Sequence, residues 1–166
     1  FANDTDLQKQ LFYSHNFGHK DYLAFYGLGI NGKMSELQAA MGLAVLPYME
    51  MIYNERKKVI DYYHTHLDFS KLKTIKIREN TEWNYSYYPV IFESEEKLLE
   101  VQKQLNKNNI YPRRYFYPSL NTIEYVNGEI MPISESIASR VLCLPLYVGL
   151  AVNELEQIVT VINNRL

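Results

Sequence analysis

Two adjacent arginines, Arg113 and Arg114, stand beside Tyr115 and Tyr117 in a segment that predicts a strand over residues 110–116. A guanidinium group can bind a diphosphate through paired hydrogen bonds, and a tyrosine ring can stack on a nucleotide or hydrogen-bond to a sugar. Because consecutive strand residues point to opposite faces of a sheet, we expect at most one of the two arginines to enter such a site. The alternative is an exposed arginine pair beside a structural tyrosine cluster.

A second candidate group is Asn31, which lies in a glycine-flanked turn just before a helix expected to begin after Ser35. Its carboxamide could donate a hydrogen bond to a phosphate near the helix N-terminus. The alternative is that Asn31 only holds the turn. The aromatic loop at residues 15–26 could close over a ligand or form a dimer interface, and His15 and Asn16 are further candidates there.

The sequence lacks the residues for a metal site, a dinucleotide-binding loop or an internal disulfide. His15 and His19 are four residues apart, but no cysteine or acidic pair completes a tetrahedral metal set with them. The glycines of residues 27–32 do not follow an apolar strand, as a dinucleotide-binding loop requires. Cys143 has no second cysteine to pair with, so we expect it to be buried packing in a protein of a reducing compartment.

The composition indicates a folded chain without a polymer partner. Of 166 residues, 47% are apolar, and 17 basic residues nearly balance 19 acidic ones. Without a basic field we expect no nucleic acid partner. No apolar run approaches the roughly 20 residues that cross a bilayer, so we expect no membrane partner either.

The apolar periodicity predicts the elements that would position these groups. Asp4 and Thr5 offer caps, and Thr5 with Gln8 suggests a capping box for a short helix that closes near Gly18. Residues 1–3 could end a strand. Residues 15–33 are predicted as loop.

The box formed by Ser35 and Gln38 predicts a long helix that kinks or restarts at Pro47 and continues toward Leu67. We expect a compact unit from Ser35 onward.

The remaining pattern predicts the order β, β, α, β, α, α. It comprises strands at 72–77, 83–92 and 110–116, a helix from Ser94, a short helix at about 134–141 and a last helix capped at Asn153. This order favours an α/β (α+β) fold in which helices cover an antiparallel sheet.

Three segments carry a resemblance to a known family. Residues 29–43 read GINGKMSELQAAMGL, residues 109–118 read NIYPRRYFYP, and residues 140–147 read RVLCLPLY. They resemble the sugar-nucleotide aminotransferases of the DegT/DnrJ/EryC1/StrS family, and the resemblance covers the second half of that family's sequence.

The resemblance implies three parts of a fold-type I aminotransferase. Residues 1–34 would be the tail of the large pyridoxal-phosphate domain, residues 35–68 the interdomain helix, and residues 69–166 the small C-terminal domain. The Schiff-base lysine would lie upstream of Phe1, so the resemblance implies that this chain holds no catalytic residue and is inactive alone.

The resemblance also assigns binding roles. It implies that Asn31 binds the phosphate of the neighbouring subunit's cofactor and that four residues bind substrate, namely Arg114, Tyr115, Tyr117 and Lys33. Alignment on Tyr117 and Pro118 favours Arg114 over Arg113. Phe116 stands where many relatives have histidine. In this respect the chain resembles the subset of the family that acts on dTDP-linked 4-keto-6-deoxyhexoses.

The expected function of the complete protein is amino transfer to a dTDP-linked keto-deoxy sugar, with pyridoxal phosphate as cofactor and glutamate as the expected donor. We expect a cytoplasmic homodimer that serves deoxyamino sugar synthesis for lipopolysaccharide O-antigen. Two alternatives stay open: a sugar dehydratase of the same family, in which histidine replaces the lysine, and a free-standing α/β module for nucleotide binding or oligomerisation.

Overall fold

The computed structural model describes residues 3–21, 23–124, 126 and 128–166. They form two compact units, Phe1–Tyr48 and Met49–Leu166. The second unit thus begins later than Ser35, where we expected it to begin. The division into three parts implied by the resemblance stays a prediction, and residues 1 and 2 of the expected strand end lie outside the described residues.

In the first unit, helix α1 spans Thr5–Ser14. Its N-cap is Asp4, whose extended backbone lets the carboxylate accept a hydrogen bond from the Leu7 N–H at 2.8 Å. Of the two caps that the sequence offers, the structure uses Asp4 rather than Thr5. The Asp4 carboxylate, one residue earlier, already accepts a hydrogen bond from a free N–H of the first turn.

Helix α2 spans Glu36–Val45 and starts with the predicted capping box. The Ser35 N–H donates to Gln38 Oε1 at 2.9 Å, and the Gln38 N–H donates to Ser35 Oγ at 3.3 Å. None of the ten residues of α2, all of them described, is buried within the chain.

A turn of 3-10 helix over Leu46–Tyr48 follows α2, and α3 then runs over Met49–His66. This confirms the predicted restart at Pro47, which has no N–H to continue the α-helical hydrogen bonds.

The second unit contains a three-stranded antiparallel sheet in the order β1-β2-β3. The strands are β1 at Lys73–Thr74, β2 at Tyr88–Ile91 and β3 at Val141–Leu144. Lys73 lies opposite Ile91, and Pro89 lies opposite Cys143. The antiparallel sheet is therefore confirmed, although β1 and β2 are shorter than predicted.

The third strand differs from the prediction. Residues 110–116 form no regular strand, and only Arg113 pairs with Cys143 as an isolated bridge. Pro112 removes a donor from that segment. The strand is instead Val141–Leu144, which we expected to be a connection. All four of its residues are buried, so its sequence shows no alternation that would mark it as a strand.

Helices cover the sheet as predicted. They are α4 at Glu95–Lys107, capped by Ser94, α5 at Pro132–Arg140 and α6 at Val152–Asn163, with a 3-10 turn at Leu120–Thr122. The last helix is capped at Ala151 rather than Asn153, because the Glu154 carboxylate accepts the Ala151 N–H at 2.8 Å.

The hydrophobic core lies between the sheet, α3, α4 and α6. Its most fully buried side chains are Tyr63, Tyr88, Phe92, Leu98, Leu105, Leu142, Ile158 and Ile162. Cys143 is buried, as predicted. Among the described residues no helix is both long and apolar enough to span a bilayer.

Candidate functional site

An open cleft of about 310 Å³ lies in the second unit. Its walls include four tyrosines and one arginine, namely Tyr87, Tyr111, Tyr115, Tyr147 and Arg113. We call it the tyrosine cleft. Rings with polar tips beside a cation can both stack on a flat group and bind an anionic one.

The edge of the sheet fixes the arginine of this cleft. The Arg113 N–H donates to the Cys143 carbonyl at 3.2 Å, and the Cys143 N–H donates to the Arg113 carbonyl at 2.8 Å. Residues directly opposite each other in an antiparallel pair share a face, and both residues line the tyrosine cleft. Arg113 is therefore anchored to β3 even though its segment forms no regular strand.

Three aromatic rings stack at the cleft. The ring centres of Tyr87 and Tyr115 are 5.0 Å apart, and those of Tyr115 and Phe116 are 3.8 Å apart. The Tyr87 hydroxyl donates to the Tyr115 hydroxyl at 3.4 Å. The hydrogen bond between the two hydroxyls is the main cause that raises the pKa of Tyr115. A tyrosine phenol is protonated at neutral pH in any case, so Tyr115 can donate to a ligand.

The side chain of Arg114 has different surroundings. Its guanidinium donates to Glu95 Oε1 at 2.6 Å and to the Ser139 carbonyl at 2.7 Å, and its central carbon lies 3.6 Å from the centre of the Tyr117 ring. The two adjacent arginines thus face different groups, as the strand geometry predicts. The roles of Arg114 and Tyr117 in substrate binding stay predictions.

In the first unit, Asn31 does not lie in a turn, as the sequence predicted, but pairs with Asn16 in an isolated antiparallel bridge whose backbone is held on both sides. The Phe17 N–H donates to the Ile30 carbonyl at 3.0 Å, and the Gly32 N–H donates to the His15 carbonyl at 2.9 Å. The Asn31 side chain is exposed and has no hydrogen bond to any residue in the part of the chain that the structure describes. A carboxamide presented in this way fits a phosphate, although its role in cofactor binding stays a prediction.

Two glycines allow the two segments beside this bridge to approach each other closely. A Cβ added to Gly29 would lie 2.1 Å from the backbone nitrogen of Gly18. Gly18 itself has a φ of 76°, and a Cβ there would lie 1.9 Å from the Gly27 carbonyl oxygen. The sequence shows the glycines of this loop, but only the structure shows that two of them touch.

Lys33 and Asn16, both candidates from the sequence, contact each other. The Lys33 ammonium donates to Asn16 Oδ1 at 2.6 Å and lies 4.7 Å from the centre of the Phe17 ring. His15 Nδ1 lies 3.1 Å from the Leu11 carbonyl. Whether Lys33 binds substrate stays a prediction.

The sequence did not single out Tyr87 or Tyr147, which line the cleft. The only signal for them was the overall richness in tyrosine, 15 of 166 residues. No cluster of three or more His, Cys, Asp or Glu residues suited to a metal ion occurs among the described residues.

The sequence model of the DegT/DnrJ/EryC1/StrS aminotransferase family matches residues 1–163. The chain belongs to this family. The resemblance of the glycine-flanked turn and the arginine–tyrosine segment is thereby confirmed over nearly the whole length.

Two family members of known activity are similar to the chain. The dTDP-4-amino-4,6-dideoxy-D-glucose transaminase of Escherichia coli is 39% identical over 81% of this chain and 39% of its own length. The transaminase of the same name from Shigella dysenteriae is 34% identical over 97% of this chain and 46% of its own length. The chain therefore spans less than half the length of these relatives.

Solved structures of the family have the same fold. A DegT/DnrJ/EryC1/StrS aminotransferase from Brucella abortus superposes with a TM-score of 0.86 over 99% of this chain and 44% of that chain, at 23% identity. DesV of S. venezuelae, solved with a ketimine intermediate, gives 0.85 over 98% of this chain and 45% of its own, at 18% identity. The fold class is confirmed as part of a fold-type I aminotransferase.

Proposed function

We propose that the protein containing this chain transfers an amino group from an amino acid, with glutamate as the donor, to a dTDP-linked keto-deoxy sugar. The observation that carries this proposal is the 39% identity to a dTDP-4-amino-4,6-dideoxy-D-glucose transaminase. The family match over residues 1–163 favours part of an enzyme over a free-standing module.

The cofactor of this proposal is pyridoxal phosphate, which supplies an electron sink for the negative charge that develops on the substrate. Within this chain, Asn31 would hold the phosphate through its free carboxamide, across the interface of a homodimer. The lysine that carries the cofactor would come from sequence upstream of Phe1. The chain alone is therefore inactive in this proposal.

The tyrosine cleft is the proposed site for the nucleotide. The Arg113 side chain lines it without an ion pair to any described residue, so its charge is available to a diphosphate. Tyr87 and Tyr115 would stack on the pyrimidine. The substrate roles of Arg114, Tyr117 and Lys33 stay predictions, and the Arg114→Ala variant described below tests the first of them.

The dehydratase alternative differs in one upstream residue, histidine in place of lysine. Reading the codons before Phe1 distinguishes the two enzymes. We also propose that the enzyme is cytoplasmic and makes deoxyamino sugars for lipopolysaccharide O-antigen.

Titration of the chain with dTDP tests the cleft assignment. Losing a charge-assisted hydrogen bond costs about 1.5–3 kcal/mol, so Arg113→Ala should raise the Kd about ten- to hundred-fold and flatten its dependence on salt. Arg78→Ala, which removes an exposed arginine elsewhere in the unit, is the matched control. Absence of binding, or equal Kd values for both variants, would overturn the assignment.

A further inference from the structure

Arg114 joins three separate pieces of the second unit. It contacts Glu95, the first residue of α4, the carbonyl of Ser139 in the last turn of α5, and the ring of Tyr117 in its own segment. Its side chain is 15% exposed. A planar guanidinium can serve several partners at once because its donors point in fixed directions.

The two polar partners suit a cation by their positions in the helices. A carboxylate in the first turn of α4, such as that of Glu95, lies at the positive end of the helix dipole, where negative charge is favoured. The Ser139 carbonyl belongs to the last turn of α5, where carbonyls lack partners within the helix and favour a positive charge. Arg114 thus pairs with a carboxylate at the start of α4 and donates a hydrogen bond to a backbone carbonyl at the end of α5.

This arrangement leaves little of the Arg114 charge for a diphosphate. The Glu95 carboxylate, 2.6 Å away, already neutralises it, and a phosphate would have to displace that contact. Arg113 has no such pair within the described part of the chain and lines the tyrosine cleft.

We propose that Arg114 is a positioning residue. Through Glu95, Ser139 and Tyr117 it holds residues 115–117 in place, and so keeps Tyr115 against Tyr87 in the wall of the tyrosine cleft. The consequence for ligand binding rests on the proposed function, because it requires that Tyr115 contacts the nucleotide.

Cys143 reports on this positioning without any ligand. It is the only cysteine of the chain, it is buried, and its Sγ lies 3.9 Å from the Tyr115 carbonyl oxygen. If Arg114 holds the segment, its loss should uncover the thiol. The reaction of Cys143 with a disulfide reagent such as DTNB measures this directly.

We expect the rate of Cys143 modification to rise at least about tenfold in both Arg114→Ala and Glu95→Ala. The reason is that the thiol reacts when residues 115–117 open locally, and loss of either partner should increase the population of that open state. Arg78→Ala should leave the rate unchanged. Leu105→Ala, a core variant in α4, controls for global destabilisation, so the rates are compared at matched free energies of unfolding. Unchanged rates in both Arg114→Ala and Glu95→Ala would overturn the proposal, whatever the ligand data show.

Titration with dTDP then separates positioning from direct contact. If Arg114 is a positioning residue, Arg114→Ala and Glu95→Ala should weaken dTDP binding by similar factors. The double variant should bind dTDP no more weakly than either single variant. The dependence of the Kd on salt should stay as in the wild type. If Arg114 binds the diphosphate itself, Glu95→Ala should tighten binding or leave it unchanged, which would overturn the proposal. A wild-type chain that does not bind dTDP would count against the proposed function, while the Cys143 rates would still decide the positioning role.

Discussion

Arg113 and Cys143 are joined by two backbone hydrogen bonds, and this pairing determines which of two adjacent arginines faces the tyrosine cleft. Since β3 is the fully buried strand of the sheet, Arg113 is attached to a buried element of the second unit. Arg114, one residue later, faces Glu95 instead. A site attached to a buried strand needs little rearrangement to bind a ligand.

The contact between Gly18 and Gly29 leads to a prediction about the bridge between Asn16 and Asn31. Gly29→Ala places a Cβ 2.1 Å from the Gly18 nitrogen, which the backbone cannot accommodate without moving. We expect the amides of Phe17 and Ile30 to lose protection from hydrogen exchange in this variant. Gly27→Ala is the control, because a Cβ there meets nothing within 4 Å. Equal protection in the two variants would show that the glycine contact does not shape this bridge.

Asn31 itself should affect cofactor affinity. In the gene product that includes the codons upstream of Phe1, Asn31→Ala should weaken pyridoxal phosphate binding about ten- to hundred-fold, because it removes a hydrogen bond to a charged phosphate. Cofactor dissociation, followed by absorption, measures the effect. Asn54→Ala, an exposed residue of α3, should leave the affinity unchanged. A wild-type affinity in Asn31→Ala would leave the residue with a purely structural role in its bridge with Asn16.

The 166-residue chain alone should not retain pyridoxal phosphate. In the proposed function the lysine that carries the cofactor lies upstream of Phe1, so the purified chain should lack the visible absorption of the cofactor. Mass spectrometry after borohydride reduction provides the check. A stable adduct on one defined lysine, accompanied by amino transfer, would mean that the catalytic part had been misplaced.

Much of the helical structure follows from local sequence, since Ser35 and Ser94 carry their capping signals within four residues. The sheet does not, because β3 is an uninterrupted apolar run whose strand character depends on its pairing with β2 far along the chain.

The candidate site likewise combines residues that local sequence indicates with residues that only the tertiary structure brings together. The segment of Arg113 and Tyr115 was recognisable from residue types, but the partners Tyr87 and Tyr147 come from other parts of the chain. Local sequence predicts that the two arginines diverge, yet only the tertiary contact with Glu95 shows where Arg114 points.

Glu135 should make the stability of the second unit depend on pH. Hydrogen bonds from the Met131 N–H and the Asn121 carboxamide hold the pKa of Glu135 below its ordinary value of 4.5. A lowered pKa in the folded state means that the stabilisation is complete above the unfolded-state value and is lost as the pH falls through the folded-state value. Glu135→Gln should therefore flatten the fall in the free energy of unfolding between about pH 5 and pH 3. Denaturant titrations of this variant and of Glu124→Gln, which changes an exposed carboxylate in the segment before α5, decide the matter. Identical pH profiles in the wild type and Glu135→Gln would contradict the assignment.

Transfer of labelled nitrogen tests the proposed function most directly. The gene product that includes the codons upstream of Phe1 is incubated with pyridoxal phosphate, ¹⁵N-glutamate and a dTDP-linked 4-keto-6-deoxyhexose, and the sugar nucleotide is analysed by mass spectrometry. We predict a dTDP-amino sugar that carries ¹⁵N, together with 2-oxoglutarate in equal amount. A dehydrated sugar without nitrogen, or unchanged substrate with a fully loaded cofactor site, would contradict the proposed function.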